Sequence, residues 1–287
     1  MDINDIGELG KVGIIPQKQK DYYVIRIKSV AGDISAEHLE VIAGVAQTYA
    51  DGQVHLSTRQ GIELHNIQAC NVILAKNHLE ARGVELGASG SRVRGVTACP
   101  GASTCPHGII NTKDVARELD RMFFGQEAPG KFKIAVCGCP NNCAKPVEND
   151  VGVMGGVLPQ WVEDQCIDCQ LCSSTCPVEA ISCNEEGRYI VNEERCILCG
   201  ICINSCPADA WDASKKGYTL FLGGTMGKKP RLGTRFARLI QSKEELFLYI
   251  EQAFAFYKEY GKKKERFGHT LERLGMERYW HETRDGD

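Results

Sequence analysis

The chain has no apolar run approaching the roughly eighteen residues needed to cross a bilayer, which excludes a membrane-spanning helix on pattern. Its opening MDINDIGELG lacks the basic region and apolar core of a secretory signal, so a cytoplasmic location is expected. Net charge is scarce too. The 34 basic and 37 acidic side chains leave −3, no whole-molecule preference for nucleic acid or an anionic membrane. One local absence is more informative. From Ala213 to Lys243 there is neither Asp nor Glu, yet Lys215, Lys216, Lys228, Lys229, Arg231, Arg235, Arg238 and Lys243 all fall there. Aromatic residues are thinly interleaved in that stretch, which weakens a nucleic-acid reading and leaves a bound polyanion to account for the cations.

Cysteine is what the chain has in excess, with 15 in 287 residues. One spacing occurs twice, as Cys166-x2-Cys169-x2-Cys172-x3-Cys176-Pro177 and as Cys196-x2-Cys199-x2-Cys202-x3-Cys206-Pro207. It is the spacing of a bacterial ferredoxin with two [4Fe-4S] clusters, in which the cysteine before each proline crosses to the other cluster. One cluster is therefore expected on Cys166, Cys169, Cys172 and Cys206, and a second on Cys196, Cys199, Cys202 and Cys176. A disulfide framework would need an oxidising compartment and usually a small secreted domain. Paired zinc sites would be complete with two CxxC pairs and give no reason for the third cysteine or the Cys-Pro ends. A wider pattern sets Cys99-x5-Cys105 ahead of Cys139-x3-Cys143. Cys70, Cys137 and Cys183 belong to neither pattern and are expected as small buried apolar residues.

Periodicity organises the rest. In YYVIRIKSV, Tyr23, Ile25 and Ile27 alternate with Val24, Arg26 and Lys28, the period of a half-buried strand. Ser35 then caps a helix with Leu39, Ile42, Val45 and Tyr49 on one face. Beyond the Asp51-Gly52 turn, QVHLSTRQGIELHNI reads as paired strands, followed by a helix ending at Gly83. GYTLFLGG reads as a strand entering a glycine-rich loop, and Glu244 to Tyr260 as a helix whose Leu246, Phe247, Ile250, Phe254 and Tyr257 form a core-packing stripe. The fold class expected is α+β. Three regions are expected: a half domain over 1–80, a cofactor-binding domain over 81–160 and 211–287, and an insert over 161–210.

The split cysteine pattern, read with its flanks STRQGIEL, SRVRGVTACPG and GKFKIAVCGCPNNCAKP, resembles the sulfite and nitrite reductases that couple a siroheme to a [4Fe-4S] cluster. Within that family the chain is similar to small sulfite reductases carrying an inserted ferredoxin domain, and the likeness extends to ERFGHTLERLGMERYW near the end. The resemblance implies that Cys99, Cys105, Cys139 and Cys143 hold one cubane, with Cys143 also bridging to the siroheme iron. It implies three [4Fe-4S] clusters in all. Arg59 of the TRQ motif, Arg94, Lys131 and Lys133 match positions that hold the anion. Alternation on a strand would point the two lysines to the same side. Two lysines and two arginines around one oxyanion would stabilise charge as its oxygens are protonated and leave. Mutual repulsion and desolvation would lower the lysine pKa values and suit them to donate protons.

The resemblance also implies siroheme contacts. Siroheme is an octacarboxylate, and Gln60, His65, Arg92, Lys228, Lys229, Arg231 and Arg235 match segments that bind it, while Gly223, Gly224 and Gly227 would let backbone amides approach a carboxylate. His65 and His107 are expected in hydrogen-bonding or structural roles, since Cys143 already serves as the proximal ligand. Assimilatory members carry two related halves in one chain, whereas each motif occurs once here. A homodimer core is therefore expected, with association with electron-donating subunits the next possibility. The activity implied is six-electron reduction of sulfite to sulfide. Nitrite reduction to ammonia is the alternative, and a non-catalytic electron-transfer subunit is the rival from another class. The intact set of four cations argues against that rival.

Overall fold

The computed structural model describes residues 6–284. Its first layer contains α1 (Ile6–Lys11), β1 (Ile14–Pro16), β2 (Tyr22–Ile27), α2 (Ala36–Tyr49), β3 (His55–Leu56), β4 (Ile62–Gln68) and α3 (Val72–Glu80). The strands form an antiparallel sheet in the order β1-β2-β4-β3. Tyr23, Ile25 and Ile27 point inward from β2 and meet Leu64 and Ile67 of β4 in a core shared with α2 and α3. The Ser35 side chain accepts from the backbone N–H of His38 and fixes the start of α2. The buried face of that helix centres on Ile42, Val45 and Ala46, so the expected stripe residue Leu39 lies at its edge and is 46% exposed. The third helix stops at Glu80, and Gly83 follows in a left-handed turn with φ 75°.

The second layer comprises β5 (Thr97–Ala98), α4 (Thr112–Phe123), β6 (Ile134–Cys137) and β7 (Val151–Trp161). After α5 (Leu171–Ser174), β8 (Ile181–Cys183), β9 (Tyr189–Val191) and α6 (Ile201–Asn204), the same sheet resumes with β10 (Trp211–Leu222) and β11 (Thr234–Ile240). It runs β11-β10-β7-β6-β5, parallel from β5 to β7 and antiparallel from β7 to β11. Val151 to Val157 are buried without alternation, as a central strand covered on both faces requires. The helices α7 (Lys243–Tyr260), α8 (Phe267–Leu274) and α9 (Met276–Arg284) follow. Leu246, Ile250, Phe254 and Tyr257 of α7 enter the core with Phe132 and Phe267. Lys28 ties the two layers together: its Nζ lies 2.9 Å from the buried Asp120 of α4 and 2.8 Å from Glu85.

Pairing of β7 with β10 runs from Val151↔Leu222 to Trp161↔Trp211 with one register shift between Ala213 and Lys215, so residues 162–210 leave and return at one end of a two-stranded ribbon. This unit repeats itself at a fixed offset. Asp168, Gln170 and Glu179 are left-handed in the first half, and Leu198, Gly200 and Asp209 in the second. Cys176 Sγ accepts from Ala180 N at 3.2 Å, as Cys206 Sγ does from Ala210 N at 3.2 Å. Thr175 and Ser205 hydroxyls meet at 3.2 Å where the halves join.

Candidate active site

The turn between β3 and β4, the end of β2, and the segments entering β5 and β6 converge on one cleft between the layers. Arg59, Arg94, Lys131 and Lys133 all line it, with Arg26, Lys28 and Ser29. Four positions spread over 75 residues of chain are thus brought together, from 59 to 133. Lys131 and Lys133 stand in the extended stretch just before β6 and not within it. Phe132 between them is wholly buried, so both lysines are turned to the cleft by the anchoring of the ring.

Each cation is held differently. Arg59 donates to Asn149 Oδ1 at 2.6 Å and to the Gly95 carbonyl at 3.1 Å. Arg94 is 9% exposed and gives one nitrogen to the Gly90 carbonyl at 2.9 Å, while its buried Nη1 has no partner within the protein. A buried, unpaired guanidinium N–H is costly, which marks a position shaped for an acceptor from outside the chain. Burial, chiefly, brings both arginines down to about 10, with Arg266 repelling both of them and Arg26 and Arg59 adding to the effect on Arg94. Burial likewise takes Lys133 to about 8, reinforced by Arg59 and Arg266 and opposed by Asp150. Lys131 is lowered by burial first and then by Arg94, Arg266 and Arg26.

Asn149 and Asp150, which carry no motif of their own, fasten two of this set, Arg59 and Lys133. Asp150 is fully buried and accepts from Arg266 at 2.6 Å and from the Lys133 backbone N–H at 2.9 Å. The only sequence signal is an Asn-Asp pair just after the last cysteine of the split pattern. Asp150→Ala is expected to lower stability by about 3 kcal/mol, because the mostly buried Arg266 is left without its counter-charge. Anaerobic denaturant titration against Arg266→Ala and the double variant checks this, the double variant being the milder loss per group removed.

A second cavity opens from the same wall. It shares Thr58, Arg59 and Lys133 with the cleft and adds Gln60, Cys143, Lys145, Asn149 and Met226. Gln60 holds a left-handed backbone with φ 60°, and its amide clamps Ala98 from both sides, accepting from N at 3.0 Å and donating to O at 2.7 Å. Cys143 is exposed at this cavity, Cys139 is buried, and Cys99 and Cys105 are half-buried. Cys99 Sγ accepts from Gly138 N at 3.1 Å. Its thiol is lowered, first by a hydrogen bond with Cys137 and then by backbone N–H groups of Gly138 and Gly101, against burial. Asn142 Oδ1, between Cys139 and Cys143, is buried without a partner. Among the described residues every cysteine is a free thiol.

Other expected residues lie elsewhere. Arg92 is engaged by Glu127 and the Gly125 carbonyl, both at 2.6 Å, and lines neither cavity. His65 pairs with Glu63 at 3.1 Å and stacks on His55 with centroids 5.1 Å apart, at the rim of the cleft. His107 is exposed on a loop. Gly223 N donates to the Asp150 carbonyl at 2.8 Å, and Gly224 packs against backbone at Val147 and Asn149, so these glycines serve close chain packing. Arg231 donates to the Gly268 carbonyl and, with Lys229, borders a separate groove beside α8. Lys228 and Arg235 are exposed. From that loop it is Met226 that reaches the Cys143 cavity. Arg238 and Lys243 pair with Glu193 and Glu118, so part of the acid-free stretch is neutralised from distant segments. Cys137 is buried as expected, but Cys70 and Cys183 are exposed, the first in the short turn between β4 and α3 and the second at the end of β8.

In the insert, Cys176, Cys196, Cys199 and Cys202 line a single cavity floored by Pro159 of β7. Cys166, Cys172 and Cys206 pack into a different apolar cluster with Trp161, Tyr189 and Trp211, into which the Cys202 thiol also reaches. Cys176 thus lies in a cavity with three cysteines of the second half, and Cys206 in a cluster with two of the first. Among the described residues no three His, Cys, Asp or Glu side chains are arranged to hold a single metal ion.

Residues 89–285 match the nitrite and sulphite reductase 4Fe-4S domain, and residues 15–82 match the nitrite/sulfite reductase ferredoxin-like half domain. The chain belongs to the nitrite and sulfite reductase family. It is 34% identical over 98% of its length to the coenzyme F420-dependent sulfite reductase of Methanocaldococcus jannaschii, of which it covers 44%. It is 27% identical over 64% of its length to one of the subunits of the anaerobic sulfite reductase of Salmonella typhimurium, covering 58% of that protein. The chain thus spans about half the length of these curated relatives. Its fold matches the crystal structure of dissimilatory sulfite reductase I with a TM-score of 0.75 at 22% identity, over 91% of this chain and 69% of the other. Among the described residues no helix is long and apolar enough to cross a membrane.

Proposed function

We propose that this chain reduces sulfite to sulfide in a six-electron reaction, with siroheme bound between the two layers and a [4Fe-4S] cluster on Cys99, Cys105, Cys139 and Cys143. The single observation that carries this reading is the joining of the four-cation cleft to the cavity where Cys143 is exposed. The unpartnered Nη1 of Arg94 and Oδ1 of Asn142 fit a group supplied from outside the chain. When bound, the siroheme and its cluster supply electrons one at a time to the anion. The protein's own residues do the rest. Arg59 and Arg94 orient the oxyanion, their charge kept in place by Asn149 and by the Gly90 and Gly95 carbonyls. Lys131 and Lys133 give protons to the oxygens that leave as water. Cys143, exposed at the second cavity, would be the protein's ligand to the siroheme, with Gln60 bracing the segment that carries Cys99.

The insert is read as a two-cluster ferredoxin domain that feeds this site from a donor protein, and a second copy or a paralogue completes the assembly. The decisive experiment is the visible spectrum and iron content of anaerobically purified protein, followed by viologen-driven reduction of sulfite and of nitrite. A siroheme spectrum with sulfide as product is the expected result. Ammonia from nitrite with no sulfide from sulfite would move the assignment to nitrite, and absence of siroheme would leave only electron transfer. Replacing Cys169 or Cys199 by serine is expected to slow electron delivery from a protein donor while the siroheme absorption persists, because those ligands belong to the insert. Loss of siroheme in either variant would make the insert part of the cofactor wall.

A further inference from the structure

Gly155 and Gly156 are consecutive and buried in the middle of β7, where glycine weakens a strand and marks a close approach of another backbone. Each faces a different cysteine-bearing loop. A Cβ on Gly155 would overlap the carbonyl of Gly138, the residue that joins Cys137 to Cys139. A Cβ on Gly156 would come within 3.2 Å of the Cβ of Leu198, which lies between Cys196 and Cys199. The next residue turns contact into a bond, since Val157 N donates to the Leu198 carbonyl at 3.0 Å. Pairing of β6 with β7 ends at Cys137↔Met154, so the loop carrying Leu198 takes up the strand just after β6 leaves it. Consecutive Cα atoms are about 3.8 Å apart, so the two loops are held within roughly the width of one chain of each other.

We infer that Gly155-Gly156 is the junction at which an electron crosses from the insert to the site, by way of the Cys199–Leu198 segment, Val157, Gly156, Gly155, Gly138 and Cys139. The inference rests on the cofactor reading above and deepens it by assigning an order. Cys176, Cys196, Cys199 and Cys202 would hold the centre that donates one electron, and Cys99, Cys105, Cys139 and Cys143 the centre that accepts it, with no bond made or broken and no proton moved. The set of Cys166, Cys169, Cys172 and Cys206 is then the outer one, where the exposed Cys169 and the 65% exposed Ile167 face solvent. It receives electrons from the donor. The two glycines are positioning residues, since they touch neither anion nor cluster and act by letting two loops close on one strand.

The test uses the full chain purified anaerobically and reduced with dithionite. In the unmodified protein, the EPR signal of the site cluster is expected to broaden when the inner insert cluster is also reduced, and to sharpen in Cys199→Ser. Gly156→Ala and Gly156→Val are expected to keep iron and sulfide content while the insert clusters reoxidise several-fold more slowly on rapid mixing with sulfite, the valine more slowly than the alanine. Unchanged reoxidation in both variants at full cluster content would overturn the junction. So would an unmodified protein with all its clusters and no magnetic interaction, which decides the matter even where a Gly156 variant loses a cluster. Iron sufficient for one cluster alone in the unmodified protein would overturn the cofactor reading itself, and the junction with it.

Discussion

Cys143→Ser is expected to abolish nearly all sulfite reduction and to uncouple the siroheme from its cluster. A hydroxyl at this position is a harder, weaker donor than a thiolate and a poor bridge between two irons. Cys143 is exposed at the cavity that adjoins Arg59 and Lys133, whereas Cys139 is buried, so the first of these is the thiolate within reach of a group in the cleft. The measurement is the visible and EPR spectrum of the variant beside its turnover with a viologen donor. Retention of unmodified sulfite reduction would overturn the proximal-ligand assignment, and loss of all iron would show that the fourth ligand is needed for assembly as well. The same substitution at Cys70, which is exposed and outside both patterns, is expected to change nothing.

Removal of the cleft cations is expected to have the next largest effect. Arg59→Ala, Arg94→Ala, Lys131→Ala and Lys133→Ala should each lose about 3 kcal/mol of transition-state stabilisation, as for one preorganised donor in a partly dry site, while cluster content persists. The two residue types should divide the loss. A planar fork matches an oxyanion, so the arginine variants raise KM for sulfite, whereas an ammonium can release a proton, so the lysine variants lower kcat. Lys133 gives the sign of the pH dependence. Burial, with repulsion from Arg59 and Arg266, takes it to about 8. A proton donor must be protonated to act, so kcat is expected to fall as pH rises through about 8. Lys133→Arg keeps the charge but holds its proton, and should remove that limb of the profile along with most of the rate. Unchanged constants in all four alanine variants would return the chain to an electron-transfer role.

Local chemistry carried far in the sequence. The cap at Ser35, the alternation of Tyr23, Ile25 and Ile27, and the stripe on α7 were legible because each depends on neighbours within a turn or a strand. Cys176 packs beside Cys196, and Cys206 with Cys166 and Cys172, as the repeated spacing allows. Leu39 was misread because the width of a helix's buried face is set by what packs on it, here the sheet that meets Ile42, Val45 and Ala46. Cys70 and Cys183 were misread for a related reason: a cysteine's burial follows from its place in the fold, and both of these are exposed.

The amino-acid sequence by itself determined the kinds of group available, the thiolate sets by their spacing and the cations by their motifs. The motifs already grouped Arg59, Arg94, Lys131 and Lys133 around one anion, and only the tertiary structure decided how each is held in the cleft. Arg59 and Lys133 meet because Asn149 and Asp150, invisible as motif residues, fasten the β3–β4 turn, the β6 entry and Arg266 to one buried point, while Arg94 is held separately by the Gly90 carbonyl. It also decided that Arg92 and Arg231 are bound to their own backbone, a choice made by distances between segments far apart in the chain. The reason is the same in each case: spacing along a chain constrains only groups that one turn or strand can bring together, while a charge's surroundings are set by every element that folds against it.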